Sequence, residues 1–361
     1  MRTTSWKGAL ILLSLAMVLL FAVACGDDED DAATPATTTT TTTTTAPAPP
    51  ADDAMMEKPT LIFSDLDWVS AQIQNAIARK ILEDGYDYQT DAVFGGTVPL
   101  MEALTRGDTN ITMEIWLPNQ QEAYDTAIAE GTITSVGNSL EDNWQSAFII
   151  PNYTAEANPG LRSVEDLKNP EYMKLFETPD SKGKARLLNC IPGWECEGIN
   201  LSKVENYGLS DFVEPVNPGS DTALTAEIRS AFEQQEDVLF YYWGPTVLTH
   251  ELDTQLGGYT VLEEAAHTDA CFETDFTCSY PVSQVLIVMR SDLADKAPDV
   301  LEFFQKWDFN AGNQLAAEGY LNESDADYPE VADWFLANTE DWKNWVTPEA
   351  LAKIEAAIAA G

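Results

Sequence analysis

From residue 60 onward, short apolar runs at strand spacing alternate with runs at helical spacing, and the strand-like runs repeatedly end in tryptophan. No other feature narrows the fold as far. Strands alternating with helices build a parallel or mixed sheet covered by helices, the α/β class. Residues 60–63 read as a first strand. A helical face follows with Ile73, Ile77, Ile81 and Leu82, and the pattern stops at Gly85. Residues 88–94 read as a second strand closed by Gly95 and Gly96, residues 98–104 as a helix, and residues 111–116 as a third strand. Open α/β sheets bind ligands off the carboxyl ends of their strands. Trp68 and Trp116 lie at such ends.

A second series begins after Trp144–Pro151, an extended apolar run. Residues 164–167 and 172–176 read as helical, Ala185–Leu188 leads into a cysteine-flanked loop, and residues 222–232 read as an amphipathic helix. Residues 238–243 form a strand that ends in Tyr241, Tyr242 and Trp243. Residues 280–289 are a strong strand, and helices are expected over 294–307, 310–319, 329–336 and 348–360. Trp334, Trp342 and Trp345 fall on or near these last helices and read as structural. Two α/β series joined by two extended crossings, at Trp144–Pro151 and at 280–287, describe a bilobal plan. Residues 59–148 with 285–361 form lobe 1, and residues 149–284 form lobe 2.

The first 58 residues have a different character. Arg2 and Lys7 precede an apolar run over residues 9–24, too short for a membrane span and the size of a signal-peptide core. It ends in Ala22-Val23-Ala24-Cys25-Gly26, which resembles the lipobox of bacterial lipoproteins, with Ala22 in place of the usual leucine. That resemblance implies removal of residues 1–24 and a lipid on the Cys25 thiol. Residues 25–58 hold an acidic patch, a threonine run and several prolines, and are expected to act as a disordered tether. Cys190, Cys196, Cys271 and Cys278 remain, an even number in an exported chain, which reads as disulfides. Three pairings are open, and loop closure favours Cys190–Cys196 and Cys271–Cys278.

Sixty acidic and 19 basic side chains give a formal net charge of −41. Nucleic acid is thereby excluded as a partner, since phosphate neutralisation needs a basic surface. With only His250 and His267, a multi-histidine metal centre or a histidine-based triad is not expected. The sequence contains no Gly-x-Ser-x-Gly elbow, His-Glu-x-x-His motif or phosphate loop. An exported hydrolase stays the weaker alternative, and no cofactor or metal is expected.

Within Cys190-Ile191-Pro192-Gly193-Trp194-Glu195-Cys196, the Pro-Gly pair favours a tight reversal. A stiff loop leading into a helix offers free N–H groups to an anion, and a tryptophan face offers a quadrupole to a cation. One loop then suits both ends of a zwitterion. The loop closely resembles the disulfide loop of substrate-binding proteins of ABC importers for glycine betaine, proline betaine and choline. Ile115-Trp116-Leu117-Pro118, the run from Phe240 to Pro245, and Tyr280-Pro281-Val282-Ser283 resemble further segments of that family.

The resemblance implies a type II periplasmic-binding-protein fold and an extracytoplasmic, lipid-anchored, monomeric receptor that hands its ligand to permease subunits in a bacterial membrane. It implies a box of Trp116, Trp194 and Trp243 around a quaternary ammonium, joined by Trp68 as in the choline-binding relatives, with Tyr242 beside it. The ligand carboxylate is expected on the backbone N–H groups of Glu195 and Cys196. Gln120 stands where the family has a histidine, Glu195 where it has a glycine, and Ser70 where the choline relatives have an acid. The Glu195 side chain is therefore expected to point away, or the ligand is not a simple betaine. Glycine betaine is the leading ligand, with choline, carnitine and dimethylsulfoniopropionate as alternatives.

Overall fold

The computed structural model describes residues 58–141 and 144–360. The expected signal peptide, Cys25 and all but the last residue of the tether lie outside the described residues. The first elements are β1 (Leu61–Leu66), α1 (Val69–Tyr86), β2 (Thr90–Gly95), α2 (Thr97–Arg106), β3 (Ile111–Leu117), α3 (Gln121–Ala129) and β4 (Ile133–Asn138). Then come β5 (Trp144–Pro151), α4 (Asn152–Ala157), α5 (Pro170–Met173), β6 (Ala185–Leu188), α6 (Glu195–Asn206), β7 (Val213–Val216), α7 (Asp221–Gln234) and β8 (Leu239–Gly244). Next are α8 (Val247–Thr254), β9 (Tyr259–Val261), α9 (Asp269–Phe272) and β10 (Val282–Arg290). Five helices close the chain: α10 (Ser291–Lys296), α11 (Pro298–Gln305), α12 (Ala311–Glu323), α13 (Tyr328–Asn338) and α14 (Pro348–Ala360).

The sheet runs β2-β1-β3-β10-β5-β8-β6-β7, with β4 also on β10 and β9 also on β5. In one half, β1 pairs parallel with β2 and β3, and β10 runs antiparallel to β3 and β4. In the other half, β6 pairs parallel with β7 and β8, and β5 runs antiparallel to β8 and β9. The halves meet where β10 and β5 share the pairs Val282↔Gln145 and Ser283↔Trp144. This is the mixed α/β bilobal architecture, and the two extended runs expected to cross between lobes are β5 and β10. The second begins at Val282 rather than at residue 280, because Pro281 has no N–H to give a ladder.

Helix α1 shows why the elements form where they do. Ile73, Ile77, Ala78, Ile81 and Leu82 are buried on one face at helical spacing. The helix runs past Gly85 and ends at Asp87, whose left-handed backbone (φ 54°) lets the cap N–H reach the Leu82 carbonyl. Gly85 is a packing residue, not a stop: a Cβ there would lie 2.9 Å from Ile354 Cδ1 of α14. The helix expected over 294–307 divides into α10 and α11 because Pro298 has no N–H to continue the ladder and instead occupies the first turn of α11. Strand β4 is absent from the sequence reading, since only Ile133 and Val136 of its six residues are buried hydrophobics.

Candidate ligand-binding site

Four strands of the sheet end beside one another. Strand β1 leads through Asp67 to Trp68, which precedes the first turn of α1 in extended conformation. Strand β3 carries Trp116 one residue before its end, and β8 carries Trp243 likewise. Strand β6 runs into the cysteine loop, which delivers Trp194 to the start of α6. All four indoles line one cavity of ≈ 50 Å³, with Thr97, Asn119, Gln120, Ser146, Glu195, Cys196 and Tyr241 completing its wall.

The rings meet edge to face. Trp194 stands 5.1 Å from Trp68 at 73° and 5.4 Å from Trp243 at 71°. Trp116 is backed by the fully buried Trp144 at 5.8 Å and 87°. T-shaped pairs are a favoured aromatic arrangement, and they hold the rings in fixed mutual orientation.

The indole N–H groups are anchored to acids. Trp68 Nε1 and Trp116 Nε1 both donate to Glu114 Oε2 at 2.8 Å, and Trp194 Nε1 donates to Asp67 Oδ1 at 2.5 Å. Burial pushes both carboxyls above their ordinary range, while the indole hydrogen bonds pull the other way.

The loop is built as a rigid cradle. Cys190–Cys196 is bonded, as is Cys271–Cys278. Gly193 takes φ 93° at the reversal, a conformation that favours glycine. Glu197 Oε2 accepts from the Gly193 N–H at 3.2 Å, and Oε1 accepts from Asn217 Nδ2. Glu195 and Cys196 open α6, where first-turn N–H groups have no acceptor within the helix. Gln120 Oε1 accepts from the Trp116 N–H at 2.8 Å, which ties the amide oxygen to the backbone.

One expectation changes. Tyr242 is not among the cavity residues. In a strand, side chains alternate between faces, so Tyr241 and Trp243 share the cavity side while Tyr242 turns away, its hydroxyl 3.5 Å from Thr225 Oγ1. Glu195 is among the residues lining both this cavity and a wider depression beside it, and burial together with nearby Glu122 pushes its carboxyl up. The cavity shares Thr97, Asn119, Gln120 and Glu195 with a wider depression of ≈ 450 Å³ that adds Glu102, Glu122 and Glu130. Neither space is lined by Lys, Arg or His. Trp342 and Trp345 are buried in the helical layer, and Trp334 stacks on Tyr320 at 4.6 Å.

Sequence reasoning missed Tyr241, which strand alternation from Trp243 would have indicated. It also missed Glu114 and Asp67, for which the sequence carries no signal beyond their proximity to Trp116 and Trp68. No group of His, Cys, Asp and Glu placed to hold a metal ion occurs among the described residues. No helix among them is long and apolar enough to cross a membrane.

Residues 59–338 match the family model described as the substrate binding domain of ABC-type glycine betaine transport systems. The chain belongs to this family. It is a substrate-binding protein rather than the exported hydrolase weighed from the sequence. The chain is 28% identical over 261 residues to a glycine betaine/proline betaine-binding periplasmic protein of Escherichia coli K12, covering 69% of this chain and 77% of that one. It is 26% identical to a trimethylamine N-oxide-binding protein of Pelagibacter ubique, covering 67% and 76%. In fold it is similar to an ABC-transporter choline-binding protein in complex with choline, with TM-score 0.66, 19% identity, and 83% and 98% of the chains covered. It is similar also to lactococcal OpuAC in its closed-liganded conformation with glycine betaine, with TM-score 0.61, 14% identity, and 81% and 100% covered.

Proposed function

We propose that this chain captures a small methylated onium compound in the tryptophan-lined cavity and presents it to the permease of an ABC importer. The observation that carries the reading is four indoles around one cavity with no basic side chain in its wall. A quaternary ammonium has no N–H to donate and is weakly hydrated, so aromatic faces compensate its lost water. Each desolvated face contributes on the order of 0.5–2 kcal/mol. Several faces, with hydrogen bonds to the other end of the ligand, give roughly micromolar affinity. For a betaine, the first-turn N–H groups of Glu195 and Cys196 and the Gln120 amide are the carboxylate donors.

Residues 59–148 with 285–361 form one lobe in this reading and 149–284 the other, so Trp68 and Trp116 come from one lobe and Trp194 and Trp243 from its partner. The bond from Trp194 Nε1 to Asp67 then spans the lobes, as do Val69 N–H to Asp221 (3.2 Å) and Val247 N–H to Glu318 (2.7 Å). Ligand completes the box only in the closed form and so favours closure. The receptor acts outside the cytoplasm as a monomer, held to the membrane by lipid on Cys25.

Glycine betaine is the first reading. A second, an onium without a carboxylate such as choline, is favoured by an acidic residue, Glu195, among those lining the cavity. Titration calorimetry with glycine betaine, choline, carnitine, dimethylsulfoniopropionate and trimethylamine N-oxide tests both. Micromolar heats with at least one onium are expected. No heat with any of them overturns the proposal, and tighter binding of choline than of glycine betaine decides for the second reading.

A further inference from the structure

Three of the four cavity tryptophans differ from Trp307 and Trp342 in what their N–H groups touch. Trp68, Trp116 and Trp194 donate to carboxylates. Outside the cavity, Trp307 donates to the Gln74 amide oxygen and the Ser139 carbonyl, and Trp342 to the carbonyls of Leu336 and Thr339. Neutral acceptors suffice where an indole only packs. A buried carboxylate is a costly acceptor, and Glu114 is fully buried with no Lys, Arg or His acting on it among the described residues. Its hydrogen bonds come from the two indoles and from Gln74 Nε2 at 2.8 Å, all neutral donors. Gln74 is itself pinned by Ser139 Oγ and Trp307 Nε1. Oε2 accepts from both indoles and Oε1 from Gln74, an all-acceptor geometry that favours the ionised carboxyl against the burial that pushes its pKa up; ionised, it is a negative charge behind two walls of the cavity without a basic partner.

We propose that Glu114 is the charge-selecting residue of the site: through Trp68 and Trp116 it orients two walls, polarises both indoles, and supplies the negative charge that the ligand's cationic head compensates. It does not line the cavity, so it acts without touching the ligand. A hydrogen bond from Nε1 to a carboxylate pushes electron density onto the ring and deepens the attraction of its face for a cation. The same charge, in a site without basic residues, attracts the onium directly through low-dielectric surroundings. A neutral ligand of the same shape gains neither effect. The inference rests on the onium reading above and deepens it.

The test compares choline with 3,3-dimethylbutan-1-ol, its uncharged carbon isostere, by titration calorimetry on wild type, Glu114→Gln and Glu114→Asp. Wild type should prefer choline strongly. In Glu114→Gln, choline affinity should fall on the order of tenfold while the isostere binds as before, which also shows the cavity intact. In Glu114→Asp, one methylene shorter, the preference should fall several-fold but less than in the glutamine variant. Equal loss for both ligands in Glu114→Gln would reduce Glu114 to a structural prop and overturn the proposal, as would an unchanged preference. If Glu114→Gln gives no cooperative melt, Glu114→Asp decides: an unchanged preference overturns, a reduced one supports. A wild type that binds the uncharged isostere as tightly as choline would instead sink the onium reading itself.

Discussion

Replacing Trp194 by alanine is the most demanding test of the cavity as a cation box. Trp194 sits between Trp68 and Trp243 and is the ring that the disulfide loop delivers. Truncation removes one cation–π face, worth about 1–2 kcal/mol where the site is dry. It also removes the donor to Asp67, a charge-assisted bond worth about 1.5 kcal/mol or more, part of which water in the vacated space recovers. A net loss of about 1.5–3 kcal/mol corresponds to binding roughly ten- to 150-fold weaker. Trp194→Phe separates the two contributions. It keeps a face and gives up the N–H, so it should fall between wild type and the alanine variant. Trp334→Ala is the control, since that ring stacks on Tyr320 and lines no part of the cavity. It should lower the melting temperature and leave affinity alone. Calorimetric affinity for the tightest onium reads out all three. Binding of Trp194→Ala within twofold of wild type, or an equal loss in Trp334→Ala, would refute the reasoning.

Three further outcomes are expected. Glu195→Gln takes a carboxyl from a residue that lines the cavity, so glycine betaine affinity should rise relative to choline, measured as the ratio of the two dissociation constants. Glu318 is buried beside Asp221 and its pKa is pushed up from 4.5 to about 7 by burial, a penalty on its ionised form of about 3 kcal/mol. A raised carboxyl pKa means that the folded state binds more protons, so this group's contribution to stability falls as pH climbs from 4.5 through 7. Glu318→Gln should therefore melt higher than wild type at pH 8, with the difference vanishing below about pH 4.5. Converting both Cys190 and Cys196 to serine should cost about 2 kcal/mol of stability, a few degrees in melting temperature, and weaken betaine binding by loosening the Glu195 and Cys196 N–H groups.

Much of the fold was legible because its strands and helices bury strongly periodic faces. Trp144–Pro151 is read from sequence with the bounds it has in the structure, since it is a short, largely apolar run between clear breaks. What was not legible had weak local patterning. Strand β4 buries two hydrophobics among polar residues, and β7 carries Pro215. Their pairing with β10 and β6 comes from tertiary context, which propensity does not carry.

The site divides along the same line, and the division says where its specificity comes from. Tryptophans are rare enough that their recurrence at strand ends marked the walls: Trp68, Trp116, Trp194 and Trp243 all reach one cavity. Carboxylates are too common to mark anything. Among 60 acidic residues, nothing in the sequence separates Glu114 or Asp67 from a hydrated surface acid. Their role depends on burial behind the rings without a basic partner, and burial is a property of the folded chain. An aromatic cage by itself accepts any apolar group of the right size. Fixed negative charge behind its walls is what makes a methylated cation a better occupant than its neutral isostere. A site with aromatics on its surface and acids beneath them is thus legible in sequence as to shape and only in structure as to charge.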